Sequence, residues 1–441
     1  MKYISDILII ACMVIGATVT NKAAAQESRT LSQAECRTLA LANNETMQHA
    51  ENDLTKAKLD KEIAFTSYLP KFSGSASAVY MLPDLDMMGM ELQMKGMYMA
   101  GIMVTQPLYT GGKIMAGNKL ASIGIDCAAE NLRKTRMQIL ADTDHAYWNY
   151  IAVLDKVKML ETYMQQMDTL FHQAQTSLDA GMSTENDMLR ITAKRSEITY
   201  QLQKAKNGAY LCRLALCDMT GLPLDTEITP ADSSISVTEP TMLDEDISLR
   251  PELALLRKQV EAGEQQIKMA RADFLPTVAL SGGYTYFGNV KINGMNVDAQ
   301  GNYVPFTQKY DEGLGLIMAS VNIPLFHWGE GAKKVKKAKI ELQNYRLDLE
   351  RNTRLLSIEA RQAVQNLTDG YNLVQTAKIG CRQADENLRV MKNRYDASMC
   401  SLTDLLDAQS QWQQAQSNHI EALTQYKIYE TEYLSTTGRL E

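Results

Sequence analysis

The sequence predicts a mostly α-helical chain that also carries a transmembrane β part and consists of one structural unit present twice. No proline falls between Pro107 and Pro223, and none follows Pro324. Both proline-free stretches are rich in Ala, Leu, Gln, Lys, Glu and Met, which are strong helix formers. Shorter segments of alternating apolar and polar residues precede each stretch, and such alternation is typical of β-strands. Repeated sequence marks relate the two halves as a duplication.

Matching positions in the two halves keep a constant separation. Tyr109 and Phe326 lie 217 positions apart (326 − 109). Upstream, "SYLPKF" at Ser67 and "DFLPTV" at Asp273 lie 206 apart (273 − 67), so 11 extra residues (217 − 206) belong to the second half. We expect them in an exposed loop within a polar, Gly- and Asn-rich stretch, because such loops tolerate insertions. The separation of 217 also joins Gly112 with Gly329, Ala180 with Ala397, Met182 with Met399, Asp187 with Asp404, Leu189 with Leu406 and Gly221 with Gly438.

These marks predict the domain organisation. In each unit we expect, in chain order, a helix, a strand, a loop, a second strand, a very long helix, a turn and a return helix. At 1.5 Å per residue the long helices would reach about 100 Å, and helices of that length need neighbours along them. The predicted parts are a signal peptide at 1–25, a first repeat at 26–221, an equatorial linker at 222–246 and a second repeat at 247–441. The predicted helices are opening helices at about 33–67 and 251–272, long helices at about 113–180 and 330–397, and return helices at about 184–220 and 401–437.

Four segments have the length and period-two pattern of membrane strands, at about 71–81, 98–106, 277–287 and 313–323. Aromatic residues lie at or near their ends, where a membrane interface favours them. A water-soluble sandwich is the alternative interpretation of the pattern alone. Four strands are too few to close a barrel that holds a channel, so the membrane interpretation implies a homo-oligomer.

The N-terminal residues have the features of an export signal. Lys2 is followed by an apolar stretch from Ile7 to Val19, and Ala23-x-Ala25 provides a cleavage site before Gln26. A loose lipobox ending at Cys12 is an alternative in which this cysteine is lipidated. Both interpretations export the protein past the inner membrane.

Composition and motifs exclude several functional classes. The net charge of −7 argues against a nucleic-acid partner. No CxxC pair occurs, and the cysteine spacing indicates neither a metal site nor a disulfide framework. We see no nucleophile motif, phosphate loop or metalloprotease signature, so we expect no enzymatic activity, no cofactor and no metal. The methionine-rich stretch "MMGMELQMKGM" offers thioethers, which suit Cu(I), so a role in copper or silver efflux is an alternative, but a flexible apolar hairpin tip explains the stretch adequately.

Two similar segments mark the passage from strand to long helix in each unit. They read "QPLYTGGK" and "IPLFHWGEG". We expect proline to end the strand ladder, an aromatic residue to suit the membrane interface and glycine to permit the bend. We call these segments the barrel–tunnel seam, and its predicted residues are Pro107, Tyr109, Gly111, Gly112, Pro324, Phe326, Trp328 and Gly329.

With these marks in order, the sequence resembles the TolC family of outer-membrane efflux channels over essentially the whole mature chain, from about Leu31 to Leu440. The most specific marks are the duplication, "YLP" and "FLP", the two seam segments, and the turn segments "AGMSTENDML" and "ASMCSLTDLLDAQ". The resemblance implies a homotrimer whose four strands per chain form a 12-stranded outer-membrane barrel on a long periplasmic helical tunnel. It also implies a periplasmic adaptor as partner and an inner-membrane pump of the resistance-nodulation-division or ATP-driven type.

The resemblance assigns a periplasmic aperture to the ends of the helices. Asp404 and Asp407 match two acidic positions that ring the aperture in this family, and three copies of each would attract cations. Ordinary solvated carboxylates on one helix face are the alternative. Asp187 is the counterpart of Asp404, and Tyr395 matches a tyrosine of the closed gate. Two positions where family members carry a basic latch residue hold Cys400 and Leu423 here, which puts the latch in doubt.

The turns between long and return helices are the expected docking tips for the adaptor, with plain helix–helix turns as the alternative. The tip residues are Ala180, Gly181, Met182, Ser183, Thr184, Ala397, Ser398, Met399, Cys400 and Ser401. The implied function is that of a passive exit duct in a tripartite efflux system. Type I protein secretion is an alternative that the sequence does not separate, and a periplasmic coiled-coil structural or adhesion protein is a third.

Overall fold

The computed structural model describes residues 28–82, 85–87, 90–93, 95–232, 235–241 and 243–440. The expected signal peptide, its cleavage site and Cys12 lie outside these residues, as does part of the methionine-rich stretch. The described helices are α1 (Gln33–Asn43), α2 (Glu45–Thr66), α3 (Lys113–Asp179), α4 (Glu185–Thr220), α5 (Pro251–Ala272), α6 (Glu330–Asp396) and α7 (Leu402–Thr436). The described strands are β1 (Ser28–Leu31), β2 (Lys71–Tyr80), β3 (Leu85–Met87), β4 (Met90–Gln93), β5 (Lys95–Thr110), β6 (Glu227–Pro230), β7 (Thr277–Val297) and β8 (Tyr303–Asn322).

The chain divides into two compact units, and each unit takes segments from both halves of the sequence. The first, the helical unit, contains the described residues of three segments, which end at His49, run over Arg133–Arg250 and begin at Leu355. The second, the sheet unit, contains Ala50–Leu132 and Pro251–Arg354. The compact units are therefore not the two sequence repeats, because α3 and α6 each continue from one unit into the other. Among the described residues, no helix combines the length and the apolar character that crossing a membrane requires.

The sheet unit contains a six-stranded antiparallel sheet. β2 pairs with β5, β5 with β7 and β7 with β8, while β3 and β4 form a short hairpin that extends along β7. The register aligns Gly74 with Ile102, Ile102 with Tyr284, and Tyr284 with Gly315. Since directly paired residues point to the same side of a sheet, this register extends one face across four strands.

That common face is apolar from β2 to β8. The opposite face carries most of the serine and threonine side chains of these strands, and the Ser281 hydroxyl donates to Thr105 Oγ1 at 3.3 Å. Several large side chains of the apolar face are well exposed, including Phe72 at 74% and Ile317 at 82%. The residues of this apolar sheet face are Phe72, Gly74, Ala76, Ala78, Tyr98, Ala100, Ile102, Val104, Val278, Leu280, Gly282, Tyr284, Tyr286, Gly313, Gly315, Ile317, Ala319 and Val321.

β7 and β8 are longer than the sequence predicts. The polar stretch expected as an inserted loop instead prolongs the hairpin, with pairs from Val290–Tyr310 to Val297–Tyr303. Asp298 closes the turn, because its carboxylate accepts from the backbone N–H groups of Gln300 and Asn302, both at 2.9 Å. Backbone pairing requires no apolar side chains, so a polar composition did not prevent strand formation here.

Pro107 does not end its strand, contrary to expectation. β5 continues to Thr110, and the register shifts between Pro107 and Tyr109 in a bulge opposite β7. The β2 partner of β5 ends at the Lys71–Thr105 pair, so Pro107 lies where β2 no longer needs an N–H donor from β5. In the second seam, β8 ends at Asn322, just before Pro324.

Each seam passes from strand to helix through two consecutive residues with left-handed backbone. The first pair is Gly111 (φ +63°) and Gly112 (φ +85°), followed by α3. A Cβ atom on Gly111 would lie 2.7 Å from the Ala272 carbonyl oxygen, so the site accepts no larger residue without a shift. The second pair is Trp328 (φ +49°) and Gly329 (φ +74°), followed by α6.

The predicted opening helix of the first repeat is two helices, α1 and α2, separated at Asn44. Asn44 has an extended backbone (φ −70°, ψ 128°). Its side-chain oxygen accepts from the N–H of Thr46 at 2.9 Å, which caps the start of α2. Asparagine favours such local hydrogen bonds over continuing a helix, and the break follows from that preference.

A buried ion pair ties α1 to two other helices of the helical unit. Asp144 on α3 has a fully buried side chain. Its carboxylate accepts from Arg37 Nε at 2.8 Å and Nη2 at 2.5 Å, and from the Thr431 hydroxyl at 2.9 Å. The unit also contains β1 and β6, which pair in parallel.

Candidate functional site

The first tip turn closes α3 with a Schellman motif. The N–H of Met182 donates to the carbonyl of Ser177 at 2.8 Å, and the N–H of Gly181 donates to that of Leu178 at 2.9 Å. Gly181 has φ +71°, which glycine adopts without steric cost. Met182 is 86% exposed beyond it.

The second tip turn repeats this geometry without a glycine. The N–H of Met399 donates to the carbonyl of Arg394 at 2.7 Å, and the N–H of Ser398 donates to that of Tyr395 at 2.8 Å. Ser398 has φ +59°, a left-handed conformation that costs a residue with a Cβ atom roughly 1 kcal/mol. Met399 is 70% exposed. Both turns are therefore tightly defined and present a methionine to solvent.

The return helices begin with side-chain caps that use two of the predicted aperture residues. The Ser401 hydroxyl accepts from the Asp404 N–H at 3.2 Å, and Asp404 Oδ2 accepts from the Ser401 N–H at 3.0 Å. This reciprocal pair is a capping box. In the first turn, Thr184 Oγ1 accepts from the Asp187 N–H at 3.2 Å. The Asp404 side chain thus helps to start its helix, a role that the sequence did not indicate, whereas Asp187 contributes its backbone N–H to the cap.

Hydrogen bonds keep Asp404 ionised. Hydrogen bonds from the Ser401 hydroxyl, which has the larger effect, and from the Ser401 N–H hold the pKa of the Asp404 carboxyl below its usual range. The positive charge of Arg394 lowers this pKa further. Asp404 and Asp407 are both exposed and lie one helical turn apart on α7. Asp407 has no part in the cap. The structure therefore places two carboxylates on one side of α7, of which only one is needed to start the helix.

Tyr395 is half-buried at the end of α6 and packs against the apolar cluster of the tips. Burial raises the pKa of the Tyr395 phenol, and the nearby negative charge of Asp187 raises it further. The phenol is therefore neutral at physiological pH. The structure brings Tyr395 and Asp187 close together, although they come from different halves of the sequence.

Contacts between the two return helices were not expected from the sequence. Arg190 on α4 donates to the Thr403 hydroxyl on α7 at 2.5 Å. Farther along, Gln413 donates to Gln201 Oε1 at 2.6 Å. The expected latch positions hold Cys400 and Leu423, but Arg190 and Arg394 bring positive charge to the same tips. The sequence does indicate these two positive charges, because both arginines lie within ten residues of a predicted tip turn.

A cavity of about 350 Å³ lies beside Tyr395, among α3, α6 and α7. Trp412 and Asp385 form part of its lining, and the Trp412 indole N–H donates to Asp385 at 2.5 Å. The amide oxygens of Gln166 and Gln409 in the lining are buried and accept no hydrogen bond from any residue that the structure describes. Among the residues that the structure describes, no three or more His, Cys, Asp or Glu side chains form a group that could hold a metal ion.

Comparison with known proteins connects this arrangement to a family. The sequence model of the outer membrane efflux protein family matches residues 37–221 and 242–438. The chain belongs to the outer membrane efflux protein family. The two matched ranges contain both long helices, both tip turns and both seams.

Individual members of the outer membrane efflux protein family are distant in sequence. The outer membrane efflux protein BepC of Brucella suis biovar 1 is 20% identical over 445 residues, covering 100% of this chain and 91% of BepC. The alkaline protease secretion protein AprF of Pseudomonas aeruginosa is 21% identical over 319 residues, covering 70% of this chain and 62% of AprF. The crystal structure of VceC from Vibrio cholerae superposes with a TM-score of 0.74 at 17% identity, covering 92% of this chain and 96% of VceC.

Family membership confirms the resemblance to TolC-like channels and the outer-membrane localisation. The chain is an outer-membrane efflux channel with an α-helical tunnel that extends into the periplasm. The proteins of this family are channels and not enzymes. The aperture, tip and seam roles of individual residues remain predictions.

Proposed function

We propose that three copies of this chain form the exit duct of a tripartite efflux system, with the four long strands of each copy contributing to one 12-stranded barrel. The observation that carries this proposal is the apolar sheet face, which is continuous over β2, β5, β7 and β8 in a single register. A face of this kind suits contact with lipid, while the opposite face carries the serine and threonine side chains together with apolar ones such as Leu314 and Leu316, and is the more polar of the two. Four strands need partner chains to close the ladder.

The duct conducts substrates passively. An inner-membrane pump supplies the work, and a periplasmic adaptor links that pump to the tunnel. The exposed Met182 and Met399, each held by a tight turn, offer the adaptor an apolar contact on a rigid support. Methionine adapts readily to an apolar partner surface.

Asp404 and Asp407 form the selective part of the aperture in this proposal. Three copies of each would give six carboxylates at the tunnel end, which favours cations over anions. Tyr395 stays neutral beside Asp187 and contributes packing and a hydroxyl group to closure. Arg190 and Arg394 replace the missing latch residues as the positive charges near the closed aperture.

Single-channel recording in planar bilayers tests the duct and its aperture together. Asp407→Asn removes a charge that has no capping role, so we expect a clear fall in the cation-to-anion permeability ratio without loss of helix content. Ser401→Ala removes the cap and leaves both carboxylates, so we expect a near-normal ratio with stability lowered by about 1 kcal/mol. An unchanged ratio in Asp407→Asn would remove this residue from the aperture, and absence of any conductance from the native protein would contradict the duct itself.

Type I protein secretion is the second candidate function. It is favoured by the similarity to AprF, whose name describes alkaline protease secretion. The two candidates are separated by deleting the gene and measuring both drug accumulation and the proteins released into the medium. A change in released proteins alone would favour secretion.

A further inference from the structure

A second cavity lies in the sheet unit, at the seam between the end of β8 and the start of α6. It has a volume of about 700 Å³. Its lining combines two kinds of side chain. Arg271, Lys336 and Lys339 are basic, and Phe274, Leu325 and Phe326 are apolar. We call it the seam cavity.

The basic side of the seam cavity carries uncompensated positive charge. Glu330 is its one lining carboxylate, and Lys334 already pairs with that group at 2.7 Å. Lys336 and Lys339 form no ion pair with any residue in the described part of the chain. Lys333 and Lys337 lie in the same run of lysines, "KKVKKAK" at 333–339. The positive end of the α6 dipole adds to this field, so the cavity attracts an anion.

The apolar side is exposed to an unusual degree for large side chains. Leu325 is 89% exposed and Phe326 70%, and the neighbouring Trp328, which does not line the cavity, is 85% exposed. The rings of Phe326 and Trp328 pack edge to face, with centroids 5.0 Å apart. Tryptophan, which combines an apolar ring system with a polar N–H, favours the boundary between lipid and water, so this preference applies to Trp328. Positive charge beside an exposed apolar rim is the combination that an amphiphilic anion requires.

We propose that the seam cavity binds the headgroup of an anionic phospholipid from the periplasmic leaflet. Arg271, Lys336 and Lys339 contact the phosphate and the negative headgroup, and an acyl chain lies along Leu325 and Phe326. The inference rests on the proposed function, since it requires the sheet to span the outer membrane and the seam to lie at its surface. Clustered lysines next to a membrane-spanning segment recognise anionic lipids by this electrostatic attraction.

Trp328 makes the proposal measurable, because the other two tryptophans, Trp148 and Trp412, are buried. The full chain is purified in an uncharged detergent, and quenching of its fluorescence is titrated with brominated phosphatidylglycerol and with brominated phosphatidylcholine. We expect tighter binding of phosphatidylglycerol. At about 1 kcal/mol per lysine, Lys336→Gln with Lys339→Gln should weaken this preference roughly 30-fold.

The matched control is Lys204→Gln with Lys378→Gln, which removes the same charge from exposed helix positions in the helical unit. It should keep the preference, and Trp328→Phe should abolish the quenching. Equal quenching of the native protein by both lipids, or an undiminished preference in the Lys336 and Lys339 variant, would overturn the proposal. Displacement of the lipid by millimolar inorganic phosphate would show that the site binds the anion alone and would also overturn it.

Protection of Trp328 from both lipids, with cross-links from this position to a second copy, would assign the seam cavity to a subunit interface and reject lipid binding. Bilayer conductance of the same preparations distinguishes a failure of the lipid proposal from a failure of the duct proposal. If the protein conducts but shows no lipid preference, only the proposal of lipid binding at the seam cavity is refuted. A protein that neither conducts nor enters the outer membrane refutes the duct.

Discussion

Individual residues in left-handed conformations differ between the two halves of the chain. The first tip turn uses Gly181 where the second uses Ser398, and the first seam uses Gly111 where the second uses Trp328. Both pairs are separated by 217 positions (398 − 181 and 328 − 111). The second half therefore accepts backbone strain at positions where the first half avoids it. Strain of this kind persists only where the surrounding contacts determine the backbone.

Ser398→Gly should stabilise the protein by about 1 kcal/mol, because it removes the clash of a Cβ atom in the left-handed region. Thermal unfolding, followed by the helical circular dichroism signal, measures the change. Ser183→Gly is the control, since Ser183 has no positive φ and glycine there should destabilise by about 0.5 kcal/mol. A lower melting temperature for Ser398→Gly would show that the serine side chain contributes more than its strain costs.

At the scale of elements, the helical unit depends on one buried ion pair that joins α1, α3 and α7. Arg37 is the charged partner of Asp144, and Thr431 supplies a third hydrogen bond. A buried carboxylate without its partner is costly, whereas an exposed pair contributes little. The attachment of α1 therefore rests more on Arg37 than on any ion pair at the surface.

Arg37→Met should lower the free energy of unfolding by about 3–5 kcal/mol, because Asp144 would remain buried with only Thr431. Denaturant titration followed by circular dichroism measures it. Adding Asp144→Asn removes the unpaired charge and should restore part of the loss. Arg361→Met, which breaks an exposed pair with Glu245, should cost at most about 1 kcal/mol. Equal effects of Arg37→Met and Arg361→Met would contradict the importance of burial.

At the scale of the whole molecule, the apolar sheet face would expose a large apolar area to water in a water-soluble monomer, which is unfavourable. In the proposed assembly, lipid of the outer membrane covers its exposed large side chains. The outer edges of β2 and β8 pair with no other strand that the structure describes, and strands from partner chains would cover them. Both needs are met by the proposed closure of three copies.

Native mass spectrometry of outer-membrane extracts should therefore give a mass near three chains, and gel migration should change on heating. Ile317→Lys places a charge on the apolar sheet face, near the middle of β8. It should reduce the heat-modifiable trimer, because a charge facing lipid costs about 2–4 kcal/mol at mid-membrane. Ser75→Lys on the opposite face is the control and should assemble normally. A soluble native monomer would reject the membrane assembly.

Much of the architecture was readable from the sequence. Long helices follow from the absence of proline and the abundance of helix formers, because these are local properties of the backbone. The observed long helices, Lys113–Asp179 and Glu330–Asp396, begin directly after the seams. Family membership was likewise readable from the ordered marks. The polarity of the sequence predicted strand and loop less well, since the polar stretch expected as a loop forms the outer part of the β7–β8 hairpin.

The candidate site was only partly readable. The sequence placed Asp404, Asp407 and Tyr395 at a helix end, and the structure agrees with that location. The capping role of Asp404, the approach of Tyr395 to Asp187 and the Arg190–Thr403 contact depend on how helices from both halves lie side by side. The basic run at 333–339 is also visible in the sequence, but the net charge of −7 conceals this local excess of lysine.

The sequence by itself predicted a helix–strand plan in two repeats, located the turns between the long and return helices, and indicated the family. Each of these depends on local propensity or on spacing along the chain. Only the tertiary structure decided the strand register that unites the apolar sheet face, the burial of Asp144 beside Arg37, and the convergence of Arg271 with Lys336 and Lys339 at the seam cavity. These features join residues far apart in sequence, and their energies depend on distance and burial, which no local pattern records.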